Sequence, residues 1–184
     1  MTAPTVEGMI DGQVCMLQQP RLEPAELGPD VHPGSRPLLE QFGHAPGLIE
    51  SWLQWYQPLV MGGRVPTRTK ELVRLAIARR TGCHMCQNSR FGDPAGAGPA
   101  VEPETAERVL ADDWSACTDA EQAALAYTVA FWDDHADVSD ETINAVIAAY
   151  GKDGFLEIAV AVAQFSGMGK LFHMLGIVAG PGAY

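Results

Sequence analysis

Cys83-His84-Met85-Cys86 is the one cluster in this chain whose residue types and spacing carry chemistry. Two thiols separated by two residues meet when the segment turns into a helix, so a disulfide can form and reopen without large backbone motion. Gly82 stands just before the pair and is suited to end a preceding helix. One or both thiols then lie near a new helix N-terminus, whose partial positive charge favours the reactive thiolate. Two plainer alternatives exist. A zinc site would need two further ligands, and Cys15 and Cys117 are isolated, with no second C-x-x-C to match. The cysteines can also be small core hydrophobes. In a reducing compartment the close pair points to redox work.

The elements that must position this pair are helical throughout. Residues 1–36 hold Pro4, Pro20, Pro24, Pro29 and Pro33 among scattered glycines and read as an irregular arm. Residues 37–184 read as a single helical domain. A short helix is expected over Leu38–Phe42 and a longer one over Pro46–Met61, with Pro46 in its first turn and Pro58 placed to kink its end. Thr67–Arg80 follows, carrying a wide apolar face and ending at Gly82. Cys83–Phe91 is the next helical piece, and residues 92–103 form a Gly/Pro/Ala loop. Pro103 opens a helix through Leu110. Thr118-Asp119-Ala120-Glu121 is a capping box for a helix ending near His135. Ser139 caps another that closes at Gly151, and Asp153 caps a last long helix running to about Val178. No segment alternates with period two, and the fold class is all-α.

Composition narrows the function. The 184 residues suit one ordinary domain, and the 47% hydrophobic, 19% charged balance is globular. A formal net charge of -11 and a pI near 4.7 oppose nucleic acid and anionic membrane surfaces as partners, since phosphate recognition needs clustered Lys and Arg. Met1–Cys15 lacks the basic-then-apolar pattern of a signal peptide, and a cytoplasmic location is the expectation. The apolar stretch from Phe155 to Ala179 is interrupted by Glu157, Gln164, Lys170 and His173, which suits a buried helix better than a membrane span.

Gly63-Arg64-Val65-Pro66-Thr67-Arg68-Thr69-Lys70-Glu71-Leu72-Val73, followed by Thr81-Gly82-Cys83-His84-Met85-Cys86, resembles the core motif of alkyl hydroperoxidase D and its carboxymuconolactone decarboxylase relatives. That motif is a glutamate, eleven residues, C-x-x-C, three residues and a histidine. Glu71, Cys83 and Cys86 match its intervals. Weaker resemblance runs from Phe42-Gly43-His44-Ala45-Pro46 to Leu171-Phe172-His173-Met174-Leu175-Gly176. The resemblance implies a helical bundle that assembles into trimers, hexamers or related homo-oligomers. It also implies a peroxidase in which Cys86 attacks the peroxide, Cys83 resolves the sulfenic acid as a disulfide, and Glu71 relays protons. A small hydroperoxide or carboxylate substrate, a dithiol or thiol reductant, and no cofactor or metal are expected with it.

Two positions depart from the motif. Its last histidine is replaced by Arg90, which stays charged and cannot shuttle a proton as an imidazole does. The histidine before the second cysteine is Met85, and His84 lies one place earlier, rotated by about 100° on a helix. His84 remains a candidate to assist. Arg90 has three functional readings: stabilising the Cys86 thiolate, pairing with Glu71, or binding a substrate carboxylate through both guanidinium arms. Glu71 also reads as a solvated residue pairing with Arg74 at i+3. In one straight helix Glu71 would lie about 18 Å from Cys83, so only a fold-back at Gly82 could join them. His44 and His173 rank lower, as does Asp133-Asp134-His135 with Asp137, which reads as a solvated helix end. Trp52, Trp55, Tyr56, Phe131 and Trp132 suit a pocket lining but more often form core or interface. The leading expectation is a thiol-dependent oxidoreductase. A non-redox decarboxylase or other lyase on the same scaffold, with Arg90 orienting a carboxylate and Glu71 or His84 moving the proton, is the alternative. An assembly protein without catalysis is the third.

Overall fold

A computed structural model of the chain describes residues 7–10, 13–16, 19–96 and 98–180. Among these, local sequence signals set most element ends. Helix α1 covers Arg36–Phe42 and α2 Pro46–Met61, each with proline in its first turn. Helix α3, Thr67–Thr81, stops at Gly82 in the left-handed conformation, φ 65°. There the Gly82 N–H donates to the Arg79 carbonyl and the Cys83 N–H to the Ala78 carbonyl, the paired bonds of a Schellman ending. Helix α4, His84–Asn88, is one short turn and leaves Ser89, Arg90 and Phe91 outside it, shorter than the expected piece. Helix α5 is Pro103–Leu110, and α6, Asp119–Asp134, opens on the complete Thr118/Glu121 capping box. Helix α7, Asp140–Leu175, is capped by Ser139 and interrupted at Gly151, whose φ of 74° and ψ of 173° break it in two. The second arm begins directly after that break, so Asp153 lies inside it rather than capping it. Among the described residues the fold is all-α apart from an isolated bridge between Gly92 and Pro99 and one small pairing in the arm: Glu7–Ile10 (β1) and Gln13–Met16 (β2) run antiparallel, Glu7 opposite Met16. No alternation in the sequence announces it.

Helix α3 is the axle of the domain, packing on α5, α6 and α7, with α2 and α4 also against it. One of its faces meets α2, α6 and α7 through Val73, Ile77, Ala124, Ile158, Val162 and Phe165. The other meets α5 and α6 through Leu72, Leu75, Ala106, Val109 and Leu125. A helix wrapped on all sides must pair any charge it carries, because an unpaired buried charge is costly. Lys70 pairs with Glu157 of α7, and Arg68 with Glu121 and Glu102. Glu71 pairs with Arg74. Where α7 crosses the end of α3, a side chain at Gly169 would stand 2.9 Å from the Thr81 hydroxyl, so glycine lets the two helices close. No helix among the described residues is long and apolar enough to cross a membrane.

Candidate functional site

The turn at Gly82 folds α4 back along α3. His173 of α7 holds this turn, its Nδ1 2.9 Å from the Gly82 carbonyl oxygen. Cys83 then occupies the cap position of α4, where its sulfur accepts from the Cys86 N–H at 3.2 Å. Cys83 and Cys86 stand at disulfide distance, with Cα atoms 5.3 Å apart. Their surroundings differ. Cys83 is completely buried against Leu38, Phe172 and Ile177, whereas Cys86 is half-buried and lines a cavity of about 480 Å³. The isolated Cys117 is buried beside α5 and α6, and burial pushes its thiol pKa up.

Beneath α4 lies the group that ties it to α3. Arg74 grips Glu71 with two bonds, Nε to Oε2 at 2.6 Å and Nη2 to Oε1 at 2.7 Å. The same guanidinium donates to the Cys86 carbonyl at 2.5 Å and to the Ser89 carbonyl at 2.8 Å. Phe91 completes the arrangement: its N–H donates to Glu71 at 3.2 Å, and its ring centroid lies 4.8 Å from the Arg74 carbon. The i+3 partner read for Glu71 is therefore the actual one, but the pair is buried, with Glu71 at 0% exposure. Sequence reasoning passed over Arg74 and Phe91 as functional residues. The Glu71–Arg74 spacing was a visible signal, whereas the reach of Arg74 to the Cys86 carbonyl depends on the fold-back.

Arg90 lines the cavity, half-buried. Its Nη1 donates to the Gln87 carbonyl at 2.5 Å and to the Ser89 carbonyl at 2.7 Å. It does not pair with Glu71, whose two oxygens Arg74 already holds. Burial lowers its pKa, and the like charge of Arg74 lowers it further. His84 points elsewhere: its Nδ1 accepts from the Ala179 N–H at 3.3 Å, and burial lowers its pKa. Trp52 and Tyr56 do line the cavity and stack with centroids 4.5 Å apart, while Trp55 is exposed. Burial raises the Tyr56 pKa far above its ordinary value, so it remains a neutral phenol. Phe131 and Trp132 pack in the core around α6 and α7 instead. His44 bonds the Glu23 carbonyl at 2.7 Å and so tethers the arm. Asp133, Asp134, His135 and Asp137 are exposed. Among the described residues no three His, Cys, Asp or Glu side chains gather as metal ligands.

Chemically, the arrangement can open and close a disulfide at one wall of a chamber large enough for a small organic molecule. The chamber side of that disulfide is Cys86. No protein-family model matches the chain, and no curated protein matches it.

Proposed function

We propose that this chain is a thiol-dependent oxidoreductase of the alkyl hydroperoxidase D type, in which Cys86 reduces a hydroperoxide and Cys83 closes the disulfide. The observation that carries this reading is the asymmetry of the pair: Cys86 borders the cavity and Cys83 lies behind it, fully buried. The Arg74 guanidinium at the Cys86 carbonyl supports the reading by fixing the backbone that presents Cys86 to the cavity. The matched intervals of Glu71, Cys83 and Cys86 support it independently. The Cys86 thiolate attacks one peroxide oxygen, forming an S–O bond as the O–O bond breaks. The alkoxide leaves and takes up a proton, giving the alcohol and a Cys86 sulfenic acid. The Cys83 thiolate attacks that sulfur, and hydroxide leaves to become water. An external dithiol then returns two electrons and two protons by exchange with the disulfide. Glu71, bonded to Arg74 through both of its oxygens, serves here first by positioning: the pair fixes the α4 backbone that presents Cys86. The lyase reading has less support, because Arg74 binds both oxygens of Glu71 and His84 bonds a backbone N–H near the C-terminus.

The resemblance also carries a homo-oligomer into the reading. Leu156, Val160 and Met174 on α7 and Leu48, Trp55 and Met61 on α2 are exposed apolar residues that such an assembly would cover. Light scattering should give a mass that is a multiple of 19.7 kDa. The decisive experiment is consumption of tert-butyl hydroperoxide with dithiothreitol as reductant, alongside alkylation rates against pH. Cys86→Ser should abolish turnover, and Cys83→Ser should leave a Cys86 sulfenic acid that dimedone traps. One thiol should titrate below about 8.5, the unperturbed value. Turnover that survives both substitutions would sink the proposal.

A further inference from the structure

The cavity beside Cys86 contains an imbalance of charge that the thiol chemistry does not require. Two guanidinium groups meet there on one carbonyl oxygen, that of Ser89; the carboxylates of Glu71 and of the exposed Glu107 act on Arg90 through space, but neither is within ion-pair distance of it. Glu71 is spent on Arg74 through both of its oxygens. Arg90 has no carboxylate within ion-pair distance among the described residues, and both of its hydrogen bonds come from Nη1. Among the described residues its Nε and Nη2 donate to no acceptor, and these form the side edge of the guanidinium, the edge that forks onto a carboxylate. A half-buried guanidinium is only partly hydrated, and a ligand carboxylate on its side edge would supply a directly bonded counterion. This net positive spot sits in a chain of formal charge -11, so it is a local feature rather than a general basic surface.

Most of the chamber's remaining wall is apolar, with His32, Ser35, Gln57 and Thr81 as its polar members. Leu38, Trp52, Tyr56, Phe165, Met168 and Phe172 form a wall of rings and thioether or alkyl groups, and Tyr56 stays uncharged. Its volume of about 480 Å³ lies within the range of sites for small organic ligands and far exceeds what hydrogen peroxide needs. We propose that this cavity binds an amphipathic monocarboxylate, an organic acid with an apolar chain or ring, whose carboxylate is taken by Nε and Nη2 of Arg90 and whose apolar body lies against the aromatic wall. Resting on the proposed thiol chemistry, the substrates of Cys86 are then hydroperoxides of such acids, and Arg90 is the residue that selects them over neutral hydroperoxides.

Decanoate and decan-1-ol test this on the full chain by titration calorimetry, since neither is a peroxide and binding is read without turnover. Decanoate should bind at least about tenfold tighter than decan-1-ol, ~1.4 kcal/mol. Arg90→Gln should remove that preference while leaving decan-1-ol binding as it was. Arg90→Lys, which keeps the charge and loses the fork, should retain part of it and guards against a folding defect in the first variant. Equal affinity for acid and alcohol, no binding of either, or unchanged decanoate affinity in Arg90→Gln would each overturn the inference. A fatty-acid hydroperoxide and tert-butyl hydroperoxide are then compared as substrates: Arg90→Gln should lower the ratio of kcat/KM for the acid to that for the neutral peroxide by at least about tenfold, and an unchanged ratio would overturn the selectivity. Arg90-dependent decanoate binding with no consumption of either peroxide would uphold the ligand site and overturn the peroxidase reading.

Discussion

Arg74 and Arg90 donate to the same carbonyl oxygen, that of Ser89, and yet live in opposite circumstances. Arg74 is almost wholly buried, with a carboxylate holding two of its nitrogens and two backbone carbonyls and an aromatic face taking up the rest of its surroundings. Arg90 is half-buried at the edge of a cavity, and among the described residues its hydrogen bonds all come from one nitrogen. A cation whose every side is satisfied holds a backbone in place. One with an unoccupied edge over an apolar chamber is available to a ligand. The two arginines thus divide the work of the site between construction and recognition, and substitutions at each should move different observables.

The largest effect is expected at the buried pair. Glu71→Gln leaves the Arg74 charge without its partner and should cost about 3–5 kcal/mol of folding stability, measured by urea denaturation. The double change Glu71→Leu with Arg74→Met should recover much of that loss, because an apolar pair of similar size avoids the desolvation cost. If the single variant were as stable as the native chain, the constructional role of Arg74 would be wrong.

Gly82→Ala comes next, at about 1–2 kcal/mol, since an L side chain is strained at a φ of 65°. It should also speed alkylation of Cys83 in the reduced protein, because the turn that buries this thiol is loosened. Arg90→Gln should change stability by about 1–2 kcal/mol, the scale of the two half-exposed hydrogen bonds it forgoes, while its effect on carboxylate binding is large. A stability loss matching that of Glu71→Gln would erase the distinction between the two arginines.

The smallest effect concerns His84, which faces Ala179 rather than the chamber. Burial lowers its folded pKa below the ordinary 6.5, so the unfolded chain binds the proton more readily. Its contribution to stability is therefore present above about pH 6.5 and is lost as pH falls toward the folded value. Melting temperature should decline more steeply between pH 7 and 5 in the native chain than in His84→Gln.

The helices themselves were largely legible from short stretches of chain. Pro46 and Pro103 mark two starts, Thr118 with Glu121 a third, and Gly82 and Gly151 mark a stop and a break, each acting through its own backbone geometry or a bond to a residue three places away. The end of α4 was not readable in this way. Arg74 and Arg90 take the carbonyls of Cys86, Gln87 and Ser89, and the chain leaves the helix after Asn88. The β1–β2 pairing also escaped, because neither strand shows the alternation that a half-buried strand displays.

By itself, the sequence determined that the chain is helical, where most of its breaks fall, and that two thiols lie within closing distance of each other. All of these follow from interactions spanning a few residues. Only the tertiary structure decided that Cys86 rather than Cys83 borders a cavity, that Glu71 is buried under α4, and that His84 looks away. Those outcomes depend on which distant surfaces of α2, α3 and α7 close around the turn at Gly82. The same is true of Arg90: its charge is written in the sequence, but that Arg74 rather than Arg90 forms the two-bond pair with Glu71 is settled by packing.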